Sequence, residues 1–288
     1  MHISRFPRDA SGFIPTYAKD IPEDAVLRVY AIGGDGIVFD CLNGLMEIKN
    51  AELAIVPYGR TNNFIRGFGK NNIASFRSIK KQINSSTIPI DVIKCGNSYA
   101  LDYCVIGMEA EAVRYSERIR EKLLAGGRLK RWIGRRLYAF HYFSGGLAAS
   151  FDKRLVHQQY EIIIDNVKHS EYCWGFSIFN CPYYGGRWHP ANDAMPNDGI
   201  LDAHFIRGKR FMQTYSLLPF YVSGRHRLIS NIIVPARGKK IIIRSNDILK
   251  VCMDDCVFYE DELDVEVIPG GLSFVDASRK GYRGVSND

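Results

Sequence analysis

Leu27-Arg-Val-Tyr-Ala-Ile-Gly-Gly-Asp-Gly36 decides how this chain is read. An apolar run ends in two glycines, a carboxylate and a third glycine, the pattern of a strand that turns sharply into a helix. Backbone N–H groups at such a turn converge with the positive end of the helix, which suits a phosphate. Asp35, held inside the turn, is placed to carry a magnesium ion. Strand-to-helix turns of this kind also serve packing alone, so Gly33, Gly34 and Gly36 leave both readings open.

Around that stretch the chain alternates. Strands are predicted over 27–32 and 52–56, and helices over 38–46 and from 64–69 on toward 83. Such alternation predicts parallel βαβ units with ligand contacts at the carboxyl ends of the strands. After about Ser86 the texture changes to short β-rich runs over 88–95, 99–106, 160–167, 172–179, 200–206, 239–244, 249–253 and 263–268. Gly, Asn or Asp bounds them, as in an antiparallel sandwich. The expected fold class is therefore α/β in two domains: an α/β domain over 1–86 and a β-sandwich over 87–268.

With 288 residues, 46% of them hydrophobic, the chain can bury one large core or two ordinary ones. No run approaches the roughly 18 apolar residues of a membrane span. Met1-His-Ile-Ser-Arg5 is not followed by the apolar region of a signal peptide. Seven cysteines, odd in number and without a C-x-x-C pair, argue against a disulfide framework or a zinc site, and for a reducing cytoplasm. His141, His157, His189 and His204 show no metal-ligand spacing and read as surface or packing residues.

The net charge of +7 is concentrated between Arg114 and Arg136, where nine Lys/Arg face only Glu117 and Glu121. Leu129, Trp132, Ile133, Leu137 and Phe140 recur at three- and four-residue steps, while Arg128, Arg131 and Arg135 share another face. This is the pattern of a basic amphipathic helix. It either rests on an anionic membrane surface or packs its apolar stripe on a sheet with its charges in solvent. No nucleic-acid motif accompanies the patch, and no nucleic-acid partner is expected.

A second loop, Pro57-Tyr-Gly-Arg-Thr-Asn-Asn-Phe-Ile-Arg66, joins the glycine turn and Asn43-Gly-Leu45 in a recognisable set. Together they resemble the catalytic domain of the diacylglycerol kinase superfamily, which includes the sphingosine kinases and reads GGDGT-x-NE-x-x-NGL, then P-x-GT-x-NDFAR. Asn180-Cys-Pro-Tyr-Tyr-Gly-Gly186 and Asp198-Gly-Ile-Leu-Asp202 resemble the later N-x-PYYGGG and DGLLD elements. NAD kinases share the glycine-aspartate turn, but the Pro57 loop and the Asp198 element point away from them.

The resemblance implies a lipid kinase that uses ATP and magnesium to phosphorylate a lipid hydroxyl, such as that of diacylglycerol or a sphingoid base. It implies nucleotide contacts at Ser4, Gly33, Gly34, Asp35, Gly36, Ile37, Pro57, Gly59, Arg60, Asn62 and Asn63. It also implies catalytic carboxylates at Asp35 and at Glu109 within a GFDA-like Gly107-Met-Glu-Ala110, with Asp255 or Asp254 as the substitute for the late carboxylate. A structural magnesium is expected on the Asp198 carboxylate and the Met195 and Ile200 carbonyls. Residues 269–288 are expected to return to the first domain. Such a protein is expected in the cytoplasm, peripherally at the inner membrane face, with a homodimer left open.

Departures from the pattern support a second reading. Ile37 and Arg60 replace threonines, and Asn63 replaces an aspartate. Asp254-Asp-Cys256 stands where the superfamily has DGE, whose Glu is the expected general base. Loss of a positioned base costs roughly 10²–10⁴ in rate. Ser4-Arg-Phe-Pro-Arg-Asp-Ala10 resembles a T-x-x-P-x-DA segment, so the opening strand and N-x-x-SG loop that precede it in relatives are expected to lie outside this chain. That would leave one sheet edge unpaired. The alternative is a catalytically silent relative that binds nucleotide or anionic lipid without phosphoryl transfer.

Overall fold

β1 (Leu27–Gly33) and β2 (Ala51–Pro57) pair in parallel from Leu27↔Ala51 to Gly33↔Pro57, so the glycine turn and the proline loop leave the sheet side by side. The computed structural model describes residues 1–127, 158–173, 175–185, 188–207, 218–225, 228, 230–254 and 256–284. Helix α2 (Asp35–Leu45) crosses between the two strands and buries Val38, Cys41, Leu42 and Leu45, spaced three and four apart, in the first core. Helix α1 (Asp9–Ala18) lies on α2 at Gly44, where a Cβ would come within 3.1 Å of Ser11 Cα. The helix predicted to run on toward Ile83 is three short ones, α3 (Asn63–Arg66), α4 (Ile73–Phe76) and α5 (Ile79–Ile83). Gly69 at φ +89° and the extended Ser78, which caps α5, interrupt it.

β12 (Cys256–Val275) joins the halves of the molecule. It runs antiparallel to β11 (Lys240–Met253) and to β3 (Thr87–Cys95), then meets β2 in parallel at Ser273 and Phe274. The runs 239–244 and 249–253 belong to the single strand β11, with a register shift between Arg244 and Leu249. Before the shift β11 pairs with β6 (Gln158–Ile164), and after it with β5 (Tyr103–Gly107), so one strand serves two layers. A hairpin through left-handed Asp165 and Asn166 joins β6 to β7 (Val167–Cys173). β5 continues the other layer through β8 (Gly175–Phe179) and β9 (Leu201–Ile206) to β10 (Ile233–Gly238). Ile106, Ile162, Phe176, Ile243, Val251 and Leu263 are among the side chains that fill the core of this half.

The run 99–106 is divided between β4 (Ser98–Ala100) and β5, and the run 172–179 between β7 and β8. Helix α6 (Met108–Leu124) follows β5, and it shares a separate core with α7 (Leu218–Val222) around Tyr103, Val105 and Phe179. Arg114, on α6, pairs with Glu111 at 2.6 Å. The amphipathic stretch from Arg128 to Phe140 lies outside the described residues. No helix among the described residues is long and apolar enough to cross a membrane. At the far end of the chain Tyr282 sits on Gly67 and on the rings of Phe64 and Phe68, and the Arg283 N–H donates to the Gly67 carbonyl at 2.9 Å.

Candidate active site

The parallel pairing of β1 and β2 delivers two loops to one place. The N–H groups of Tyr58 and Gly59 donate to the Gly33 carbonyl at 3.0 and 2.8 Å. Gly34 and Gly59 pack backbone to backbone, and a Cβ on Gly59 would collide with the Gly34 Cα. Close approach, rather than an unusual dihedral, is what requires glycine at these two positions. Asp35 opens α2 and turns its buried carboxylate into the junction, where it accepts from the Thr61 hydroxyl and, at 3.0 Å, from the Asn63 N–H. Asn62, left-handed at φ 48°, folds back to receive the Gly59 N–H at 3.0 Å and to donate to the Gly59 carbonyl at 2.8 Å.

Across from this junction the turn between β11 and β12 presents Asp254. Its carboxylate accepts from the N–H groups of Leu101 at 2.6 Å, Asp102 at 3.1 Å and Tyr103 at 3.0 Å. That capture is what divides the predicted strand over 99–106, because three successive amides point at a side chain instead of at a ladder. Burial pushes the Asp254 carboxyl up to about 7; the three N–H groups oppose the rise and the charge of Asp35 adds to it.

A cleft of about 1610 Å³ opens along the outer edge of β1. Ser4, Gly33, Gly34, Gly36 and Ile37 line it, and Asp254 and Cys256 form its far side. Ile37 lies over Gly33, so a methyl group covers the turn where the kinase pattern has a threonine hydroxyl. Pro57, Gly59, Arg60, Asn62 and Asn63 are not part of this wall; their loop braces the glycine turn from behind, with Arg60 exposed. Asp255 lies outside the described residues.

Residues 4–95 match the diacylglycerol kinase catalytic domain, and residues 133–276 match the YegS C-terminal NAD kinase beta sandwich-like domain. The chain belongs to the diacylglycerol kinase-like lipid kinase superfamily. A relative in Staphylococcus aureus strain Mu3, named "Putative lipid kinase", is 26% identical over 265 residues, which is 90% of this chain and 78% of the relative. The crystal structure of a diacylglycerol kinase from Bacillus anthracis is similar with a TM-score of 0.64 at 20% identity, over 94% of this chain and 82% of that one. A second Bacillus anthracis structure gives 0.68 at 21%, over 94% and 83%. The fold is thus the mixed α/β architecture expected, a kinase-like N-terminal domain and a C-terminal β-sandwich.

Two other carboxylates singled out by the superfamily pattern have different surroundings. Glu109, in the first turn of α6, does not line the cleft. β5 carries the chain away from Asp254, and at about 3.3 Å per residue the four steps from Tyr103 to Gly107 span roughly 13 Å. Glu109 instead enters a third buried core beside Ser177 and Tyr221, whose hydroxyl donates to Ser177 Oγ at 3.0 Å. Burial pushes Glu109 up to about 7, against the pull of those two hydroxyls, and its Oε2 has no hydrogen-bond partner.

Asp198 already has a cation. Its Oδ1 accepts the Ile200 N–H at 3.1 Å and its Oδ2 receives Arg237 Nη2 at 2.8 Å, while Arg237 Nε reaches Asp202 at 3.1 Å. Asp91 fixes the Met195–Ile200 loop, accepting from the Gly199 and Gly270 N–H groups at 2.7 Å each and donating its own N–H to the Pro196 carbonyl at 2.7 Å. A magnesium ion at Asp198 would have to share its carboxylate with a guanidinium, so the residues present do not fit that ion. No group of three or more His, Cys, Asp or Glu suited to a metal occurs among the described residues.

Thr61, Asp91 and Arg237 carry the geometry without having been singled out from the sequence. Thr61 had a signal: the second loop lacks the superfamily's threonine at 60 but has one at 61. Arg237 had none, since its place opposite Asp202 follows only from the register of β9 with β10.

Proposed function

We propose that the chain is an ATP-dependent lipid kinase that transfers the γ-phosphate to the hydroxyl of a long-chain alcohol, diacylglycerol and sphingoid bases included, at the cytoplasmic face of a membrane. The supporting observation is the meeting of both kinase loops at the buried Asp35, between Gly34 and Gly36, which line a cleft that Asp254 closes from the other side. At about 1610 Å³ the cleft exceeds the roughly 300–1,000 Å³ of ordinary small-molecule pockets, leaving room for a nucleotide and an acceptor headgroup. The amino end of α2 offers N–H groups and a positive dipole to phosphates. Asp35 and Asp254 are oxygen donors whose mutual repulsion a hard divalent cation would relieve. Such an ion supplies the charge neutralisation on which phosphoryl transfer depends. The test is ATP turnover with diacylglycerol in mixed micelles: native protein turns over and Asp35→Asn does not, and near-normal turnover by the variant refutes the assignment.

Cys256 favours a second reading, that of a silent relative. A thiol lines the cleft at the position where the superfamily pattern has the general base. Cys256→Glu separates the two: turnover that appears only in this variant marks a decayed enzyme, and robust turnover by the native chain removes the silent reading.

A further inference from the structure

We propose that Arg8 is a phosphate-binding residue of the cleft, resting on the kinase reading for the cleft's identity but not for Arg8's role. Arg8 precedes α1 and is left-handed, at φ 66° and ψ 11°, a conformation uncommon for a residue with a Cβ. The fold holds it there: its N–H donates to Asp40 Oδ2 on α2 at 2.8 Å, and the Ser11 hydroxyl donates to its carbonyl at 2.8 Å. An aspartate on the helix that starts at the glycine turn therefore sets where this arginine stands.

The guanidinium faces the same cleft as Gly34 and Asp254 and is exposed. Its Nη2 lies 3.7 Å from Cys256 Sγ. It makes no ion pair with the carboxylate of any described residue, whereas the cleft's other arginine with a described partner, Arg28, is bound to Glu52 at 2.5 Å. Were residue 256 a glutamate, as the superfamily pattern has it, the acid would take up the charge of Arg8. A thiol leaves that charge, which otherwise acts only at longer range on Asp40, for a ligand. A planar guanidinium pairs two N–H donors with two oxygens of one phosphate, a geometry that water and thiols do not satisfy as well. The ligand class is a phosphate carried into the cleft, either the terminal phosphate of a nucleoside triphosphate or the headgroup phosphate of an anionic lipid.

Glycine takes the left-handed conformation freely, so Arg8→Gly removes the guanidinium without straining the backbone, and Arg8→Lys keeps the charge without the fork. Binding of ATP with excess magnesium is measured by calorimetry, and binding to phosphatidylcholine vesicles containing phosphatidic acid by co-sedimentation, with thermal melts of all three proteins. Loss of one charged hydrogen-bond partner predicts affinity lower by roughly tenfold or more for Arg8→Gly, with Arg8→Lys intermediate. A loss confined to ATP assigns the nucleotide phosphate, and one confined to vesicles assigns the headgroup. Native-like binding of both ligands by a stably folded Arg8→Gly overturns the proposal while the kinase reading stands. Failure of the native protein to bind either ligand overturns both.

Discussion

Asp35 and Asp198 each sit in a short glycine-containing loop that the sequence marks for a cation, and the fold treats them differently. Asp35 accepts from a hydroxyl and a backbone N–H, and its charge bears on Asp254. Asp198 accepts from a backbone N–H and from Arg237, which also holds Asp202. One loop concentrates negative charge; the other has it neutralised by a side chain 39 positions away. What the fold brings to each carboxylate, a cation in one loop and neutral donors in the other, is not encoded in the short motifs.

The contrast has consequences of decreasing size. Asp35→Asn lowers lipid-dependent turnover by roughly 10²–10³, the cost of losing one preorganised charge at a reacting phosphate. Asp198→Asn leaves turnover within a few-fold of native, and equal losses in the two variants would erase the distinction. Arg237→Gln strips the compensating cation from Asp198 and Asp202 and, because Arg237 is half exposed, destabilises the fold by only about 1 kcal/mol in chemical denaturation. Magnesium then raises the melting temperature of Arg237→Gln, whereas without nucleotide the native protein melts alike in magnesium and in chelator. A native protein that chelator destabilises, in an effect that Asp198→Asn removes and Asp35→Asn does not, would show that Asp198 holds an ion.

Acidity supplies a smaller effect. Glu109 and Asp254 have carboxyls raised to about 7 from ordinary values of 4.5 and 3.8. A raised folded value means that the native state keeps the proton longer, so the stability that goes with it is present below about pH 4 and lost as pH climbs through 7. Unfolding free energy should fall across that window, and Glu109→Gln should flatten part of the fall. An unchanged slope would mean that Glu109 is ionised in the native protein. Least in magnitude is thiol reactivity. Six cysteines are buried and Cys256 is partly exposed, so iodoacetamide should label position 256 first and ATP should slow it.

The first βαβ unit was legible because an apolar run, two glycines and a helix-period pattern follow one another within a few residues. The β-rich texture of the second half was legible too, but its division into strands was not. The run 99–106 is divided because Asp254, some 150 positions later, takes three of its amides, while Lys240–Met253 is one strand because an irregularity between Arg244 and Leu249 shifts its register without ending it. At the site, the place of Asp35 could be read, but its tie to Thr61 depends on how closely Gly34 and Gly59 approach. That Glu109 does not line the cleft was not legible, because a local likeness says nothing of where a buried strand carries the residue that follows it.

β12 begins at Cys256 on one wall of the cleft and finishes beside β2, which delivers the loop that braces the other wall. The two sides of the cavity are therefore joined through a single rod, β12, by way of β2 and β1, rather than being jaws on a free linker. Their separation is set by the length and curvature of that rod, and the register shift around Pro269-Gly270-Gly271 is where it bends. Any narrowing of the cavity around a ligand has to flex that bend, so stiffening it should be felt at the mouth of the cavity without a single lining residue being altered.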